Sequence, residues 1–457
     1  MKRILNKFVY LFLAAFLAVG SCNTADLDPT LAQQKQEEDA FKTVGDLEGL
    51  LKGMYNRMTS SEYYGRDYIV TNEVRTPNVW SNGNSGRFVT EATLAYGPGS
   101  TYIWDNAYGV IAIANIIIGI DISTLEGDQE YAKHMQGQAY AARALAHFDL
   151  LKTYGQQHVG GTLGVPYVTE FKGENEIPAR ETIDENVASI MADFQTAYDM
   201  MSADFFDNSK EFMSKMTAPA LASRVAVYFE MWEEARDNAK LVIDSGLYEI
   251  VEAENLGAAW ASDSAPNSIF ELAFSDVDNA GINGLSYMYR GESYGDISVT
   301  QDVFDNLYEG DDVREDLLGI EVMPDGEEIL RNMGKYQEYA SNVPIIRYEE
   351  VVLNYAEALF ELGEGDPLMW LNMIPEHRNA NTYTEVTKEN ILEERREEFI
   401  FEGLYFWDLL RTGSDIIRLE SAQPLDIAYG DPRLAYPIPY AELDANSNIE
   451  QNPGYPD

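Results

Sequence analysis

Cysteine is nearly absent from this chain: Cys22 is the only one in 457 residues. No disulfide can form within the chain, so side-chain packing has to supply its stability. Histidine is scarce too, at positions 134, 147, 158 and 377. No two of them have H-E-x-x-H spacing and no cysteine accompanies them, which argues against a metal centre. Basic residues are few, with 32 Lys+Arg against 77 Asp+Glu and a formal net charge of −45. That balance argues against nucleic acid as a partner and against docking on an anionic membrane face. There is no G-x-S-x-G elbow and no P-loop. Asp276 to Gly281 (DVDNAG) begins like a calcium loop, but Ala280 breaks its fifth position and Tyr287 stands where the bidentate Glu is needed. No cofactor is expected, and the chain reads as a binding protein, not an enzyme.

What is present starts at the N-terminus. Lys2, Arg3 and Lys7 precede an apolar run of 12 residues, Phe8 to Val19. Small residues (Val19-Gly20-Ser21) then lead into Cys22. This is the anatomy of a secretory signal peptide over residues 1–21, and the run is too short to span a bilayer, which takes ~20 residues. The lone cysteine falls on the residue that the bacterial lipobox acylates, so lipidation at Cys22 is expected; the alternative is an ordinary signal peptide with a chance cysteine. Without residues 1–21 the chain keeps 29 Lys+Arg and all 77 acids, a net −48. Residues 22–40 are polar and aperiodic and read as a tether.

The body, 41–457, reads as mainly α. Helices are predicted over 44–58, from Trp104 through Ile118, around 139–151, from a cap at Thr182 or Asp184 to about Met200, over 345–362 and over 388–410. Pro219 to Ile243 reads as a helical hairpin ended by Ser245-Gly246, with Ala at close-contact positions as in a tetratricopeptide unit. The strict 34-residue tandem repeat is absent. Between these helices lie long turn-dense stretches, 59–103 and 254–343, with a possible strand at Ser268 to Phe274. The expectation is a helical scaffold with large irregular loop insertions.

Two of those insertions carry aromatics beside planar polar groups, the chemistry that sugar C–H faces and hydroxyl edges require. The candidate ligand-binding residues are Tyr64, Asn78, Trp80, Asn82 and Arg87 in the first, and Tyr287, Tyr289, Arg290 and Tyr294 in the second. Tyr63, Asn84, Tyr102 and Asn283 belong to the same stretches, whereas Trp104 lies on a helical face and reads as core. Loop aromatics are better functional candidates than core ones. Glu394, Glu398 and Glu402 share one helical face with Arg395 beside them, and read as an ion-paired structural row more than as a catalytic pair.

Several segments resemble the SusD/RagB family of nutrient-binding outer-membrane lipoproteins. The long ones are VPIIRYEEVVLNYAEAL (343–359), ILEERREEFIFEGLYFWDLLRTG (391–413) and YPIPYAELDANSNIEQNPGY (436–455). AYAARALAHFDLLKTYG (139–155), GVPYV (164–168), the helical pair at 219–248, Asp312-Val313-Arg314 and Lys335-Tyr336 fit as well. The resemblance implies one SusD-like domain over 41–457, built from four tetratricopeptide-like units. It also implies a surface-exposed, lipid-anchored place on the cell outer membrane. The partner it implies is a SusC-like TonB-dependent transporter to which captured oligosaccharide or polysaccharide is delivered. Asp26 and Asp28 are loosely similar to surface-export signals. Peptide capture, as in the RagB branch, is an alternative ligand class, and a secreted glycoside hydrolase is a third reading that needs two carboxylates across a cleft. The chain departs from the family pattern at Tyr405, where an Arg is usual, and at Pro375-Glu376, where Pro should end or kink the helix.

Overall fold

The computed structural model describes residues 41–173, 177–291, 294–419, 423 and 426–456. Cys22, the signal segment and the tether lie outside the described residues.

The first helix, α1 (Val44–Met58), starts at a capping box. Asp46 N donates to Thr43 Oγ1 at 3.1 Å and Thr43 N donates back to Asp46 Oδ2 at 2.9 Å, which satisfies two otherwise orphaned amides. Leu47, Leu51, Met54 and Met58, spaced by four, three and four, are fully buried. Helix α2 (Asp67–Val74), strand β1 (Val79–Ser81) and the single turn α3 (Val89–Ala92) follow inside the first insertion. Then come α4 (Trp104–Gly119), α5 (Gln129–Tyr154) and α6 (Ile183–Met200), the last capped by Thr182 with Glu185. Helix α5 is 26 residues long and buried almost all round from Gln136 onward. Its Ala139, Ala142 and Ala146 are fully buried and let neighbouring helices approach closely.

The predicted hairpin is α7 (Thr217–Tyr228) and α8 (Trp232–Ser245), closed by Gly246 at φ 62°. The second insertion holds α9 (Leu256–Trp260), β2 (Ser268–Leu272), α10 (Leu285–Arg290), β3 (Ile297–Val299), α11 (Gln301–Asn306), β4 (Leu318–Val322), β5 (Glu328–Asn332) and β6 (Val343–Arg347). Helices α12 (Tyr348–Leu362), α13 (Pro367–Glu376), α14 (Lys388–Phe399), α15 (Tyr405–Arg411) and α16 (Tyr440–Ala445) complete the chain.

Eight helices pack in one sequence, α1 on α4, then α5, α6, α7, α8, α12 and α13. They form four consecutive pairs among the described residues, α1/α4, α5/α6, α7/α8 and α12/α13, so the scaffold is tetratricopeptide-like and mainly α. The small sheets are antiparallel two-stranded pairs, β1 with β3, β2 with β6 and β4 with β5. The β1–β3 pair joins the two insertions. Among the described residues no helix is long and apolar enough to cross a membrane.

Two sequence-based boundaries differ. Val343–Arg347 is a strand, and the helix begins only at Tyr348. The helix expected over 388–410 is two helices. Phe401 and Gly403 sit at φ 73° and 71° between them. A Cβ on Gly403 would come within 2.8 Å of the Ile69 carbonyl oxygen, so a close backbone approach requires glycine there. Pro375 stands in the last turn of α13, which ends at Glu376 as expected.

The break has a purpose in packing. Glu398, at the end of α14, meets Arg347 at 2.9 Å and Arg378 at 3.0 Å, and Glu402, beyond the break, meets Arg347 and Lys335 at 2.7 Å. Glu394 meets Arg314 at 2.7 Å. The row of acids is therefore an ion-paired element of the core.

Candidate functional site

The two insertions meet through backbone. Trp80 is opposite Ser298, with Val79 opposite Val299 and Ser81 opposite Ile297. Along β1, Val79 is buried and Trp80 and Ser81 are half-buried. Next comes Asn82-Gly83-Asn84-Ser85-Gly86, where both glycines have positive φ, 71° and 81°. The Asn82 side-chain oxygen accepts from Asn84 N at 2.9 Å, which turns the chain back on itself. Ser85 then donates to the buried Asp296 from its amide at 2.8 Å and from its hydroxyl at 2.7 Å.

The facing segment is held from below. Arg331 donates to the carbonyls of Gly295 at 2.8 Å and Ile297 at 2.6 Å, and is itself paired with Glu321 at 2.8 Å. Gly295 N donates to Tyr287 O at 3.0 Å, tying this segment to α10. Asn82 Nδ2 donates to Gly295 O at 2.6 Å, and Asn84 donates to the Tyr294 carbonyl. Arg87 lies over the Tyr294 ring at 4.3 Å, with Asp296 4.0 Å from its Nε. A guanidinium stacked on a half-exposed ring is a flat, rigid, polar-edged surface.

Six of the nine predicted residues thus lie on or beside one loop-built face. Trp80, Arg87, Tyr287 and Tyr294 are half-buried there. Asn82 is also half-buried but is occupied in pinning the loops, and Arg290 donates to the Met333 carbonyl. The other three are corrected to scaffold. Tyr64 is buried and donates to Asp149 at 2.7 Å, as do Tyr63 and Tyr68. Burial, with the Asp149 carboxylate second, pushes the Tyr64 hydroxyl well above its usual range. Asn78 is fully buried, donating to Glu73 at 3.1 Å and accepting from Arg396 at 2.8 Å. Tyr289 is fully buried among Tyr336 and Phe401. A loop aromatic can pin a loop as readily as bind a ligand, and local sequence does not distinguish the two. The residues that sequence reasoning missed, Ser85, Asp296 and Arg331, organise the face from within. Only the position of Asp296 at the end of the Gly- and Tyr-rich stretch pointed to it.

Two larger concavities lie elsewhere. One of about 910 Å³ is bordered by Phe41, the end of α4 and Phe171. One of about 600 Å³ is bordered by Tyr248, Tyr348 and His377. His147 is fully buried, its Nδ1 donating to Arg143 O at 2.9 Å and its Nε2 accepting from Val168 N at 3.1 Å, and burial pushes it down to about 3. Among the described residues no three His, Cys, Asp or Glu side chains are grouped to hold a metal ion.

Fold and face together define a class: a tetratricopeptide-like helical scaffold whose long insertions pair to build a polar-aromatic surface. The comparisons with known proteins narrow it. Residues 28–227 match a SusD-like family described as starch-binding and associating with the outer membrane, and residues 329–455 match the SusD family. The chain belongs to the SusD/RagB family. It is 23% identical to SusD-like protein P2 of Formosa agariphila, over 99% of this chain and 100% of that protein. It is 30% identical over 135 residues to the starch-binding protein SusD of Bacteroides thetaiotaomicron, a match covering 27% of this chain and 24% of that one. A solved SusD superfamily structure from Bacteroides vulgatus superposes with a TM-score of 0.84 at 28% identity, covering 91% of this chain and all of the other.

Proposed function

We propose that this chain captures oligosaccharide or polysaccharide at the outer membrane and delivers it to a SusC-like TonB-dependent transporter. In this reading a lipid on Cys22 and the tether through residue 40 hold the body at the cell surface. The observation that supports the ligand class is that the β1–β3 pair brings together the segments bearing the half-buried Trp80, Arg87, Tyr287 and Tyr294, with Arg87 stacked on Tyr294. Flat rings take sugar C–H faces, and the guanidinium and amide edges take hydroxyls. The family description and the name of the SusD relative support the same ligand class.

The reading is of binding without turnover. Asp296, the acid at the centre of the face, is fully buried and held by Ser85. Glu394 and Glu398 of α14 are engaged by arginines inside the scaffold. The experiment is calorimetry of the purified protein against a panel of polysaccharides and peptides, with Trp80→Ala beside the wild type. Aromatic stacking contributes about 0.5–1.5 kcal/mol, so Trp80→Ala should weaken glycan binding roughly 2- to 10-fold with little change in melting temperature. Unchanged affinity removes Trp80 from the site. Binding of peptides with no glycan bound turns the reading to peptide capture, and release of shortened glycan overturns the claim of binding without turnover.

A further inference from the structure

We infer that the cleft of about 600 Å³ beside α9 and α13 is a docking surface for a basic segment of a protein partner, which seats a lysine or arginine side chain in it. None of the described residues that border this cleft belongs to the β1–β3 loop face.

The cleft has an apolar floor and an acidic rim. Tyr248, Ile250, Val251 and Tyr348 are buried, and Met373 is half-buried. Glu249, Glu252 and Asn255 stand exposed around them. His377, just past the end of α13, borders the cleft as well. Its Nδ1 donates to Met373 O at 2.7 Å, so in the neutral ring Nε2 is an acceptor, and that nitrogen lies 3.7 Å from the Glu252 carboxylate.

Among the described residues no lysine or arginine borders the cleft. Arg378, next in sequence to His377, is fully buried and pairs with Glu349 and Glu398. Lys210 lies over the Tyr248 ring at 5.0 Å, but it is buried and does not reach the cleft wall. The backbone that carries the two acids is fixed: Val251 O accepts from Arg378 at 2.6 Å, Glu249 N donates to Pro266 O at 3.4 Å, and Asn255 N donates to Glu252 O at 2.9 Å. A fixed wall lowers the ordering cost of docking.

A lysine or arginine side chain has the matching build. Its apolar stem suits the tyrosine and methionine floor, and its charged head suits the carboxylate rim. An amino sugar carries the charge but no apolar stem, and the same rim repels phosphate or sulfate groups.

The test is a ligand-observed NMR titration with capped Gly-X-Gly tripeptides bearing arginine, lysine or citrulline at X, and with glucosamine. The chain's formal net charge of −45 attracts any cation, so the control for Glu252→Gln is Glu234→Gln, which removes the same charge from the exposed side of α8. The Glu252 side chain is 64% exposed, so its loss should leave the fold intact. The expected result is that the arginine or lysine peptide binds and the citrulline peptide does not. Glu252→Gln should weaken that binding roughly threefold or more, Glu234→Gln should leave it unchanged, and Ala258→Arg, which sets a cation at the cleft, should abolish it. Equal affinities in the two glutamine variants, equal binding of the citrulline peptide, or no peptide bound by the wild type each overturn the docking surface. Glucosamine bound with no peptide bound overturns the protein partner.

Discussion

Around α14, four cations (Arg314, Arg347, Arg378, Lys335) meet six carboxylates (Asp312, Glu349, Glu394, Glu397, Glu398, Glu402) away from water. At the paired loops a single arginine, Arg87, lies over a half-exposed tyrosine with its acid at the limit of pairing distance. Both regions are rich in groups that enzymes and binding sites use. In the first they are paired with one another and enclosed in the core, with Glu394 Oε2 left without a hydrogen-bond partner. In the second the enclosed groups, Asp296 and Arg331, hold backbone, and the flat side chains are left facing outward. The comparison teaches that chemical potential for binding lies in what the packing leaves unspent, not in local density of charge.

Three perturbations break or sharpen that contrast, the largest first. Arg378 is fully buried between Glu349 and Glu398 and also donates to the Val251 carbonyl. Arg378→Met leaves two buried carboxylates short of a partner and should cost about 3–5 kcal/mol of stability by denaturant unfolding. A cost under about 1 kcal/mol would mean that the seam does not hold the core.

The second is pH. Burial first, and the neighbouring Glu394 carboxylate second, push Glu397 up to about 8. The folded chain therefore holds a proton that the unfolded chain has released, between the ordinary carboxylate value and about 8. Stability should decline as pH rises through that window and level off above it. Glu398 has the opposite sign: burial raises it, but Arg378 and Arg347 outweigh burial and hold it well below the usual range. Its contribution is lost only on acidification. Denaturation midpoints measured from about pH 5 to pH 8 should fall relative to those of Glu397→Gln; His147, held down to about 3, and His134 and His158, held down to about 4, contribute the opposite slope to both proteins below the ordinary histidine value. An equal slope in the variant would assign the titration to another group.

The smallest effect separates scaffold from face. Tyr64→Phe removes one of three tyrosine hydroxyls from Asp149 and should cost about 1 kcal/mol, with glycan affinity unchanged. A drop in affinity with stability preserved would return Tyr64 to the face.

Much of the scaffold was legible in the sequence. The helix over 44–58, a cap at Thr182 or Asp184 for α6, and Gly246 at the end of α8 were all readable, because each signal is local to one or two turns of helix, and the structure places the cap at Thr182. The strand at Val343–Arg347 was not legible, since it continues the apolar spacing of α12 and is made a strand by pairing with β2. Nor was the break at Phe401–Gly403, which answers to the Ile69 carbonyl far away in the chain.

For the candidate face, the residue types in the two insertions marked segments that the fold brings together, but did not separate enclosed side chains from half-buried ones. By itself the sequence determined where helices run, which faces they bury and which loops carry flat polar chemistry, because helical period and turn chemistry are local. Only the tertiary structure decided that Tyr64, Asn78 and Tyr289 are enclosed while Trp80, Arg87, Tyr287 and Tyr294 stand at the surface. The reason is that a loop side chain's exposure depends on what the fold packs against it: Asp149 of α5 against Tyr64, Arg396 of α14 against Asn78, and Phe401 against Tyr289.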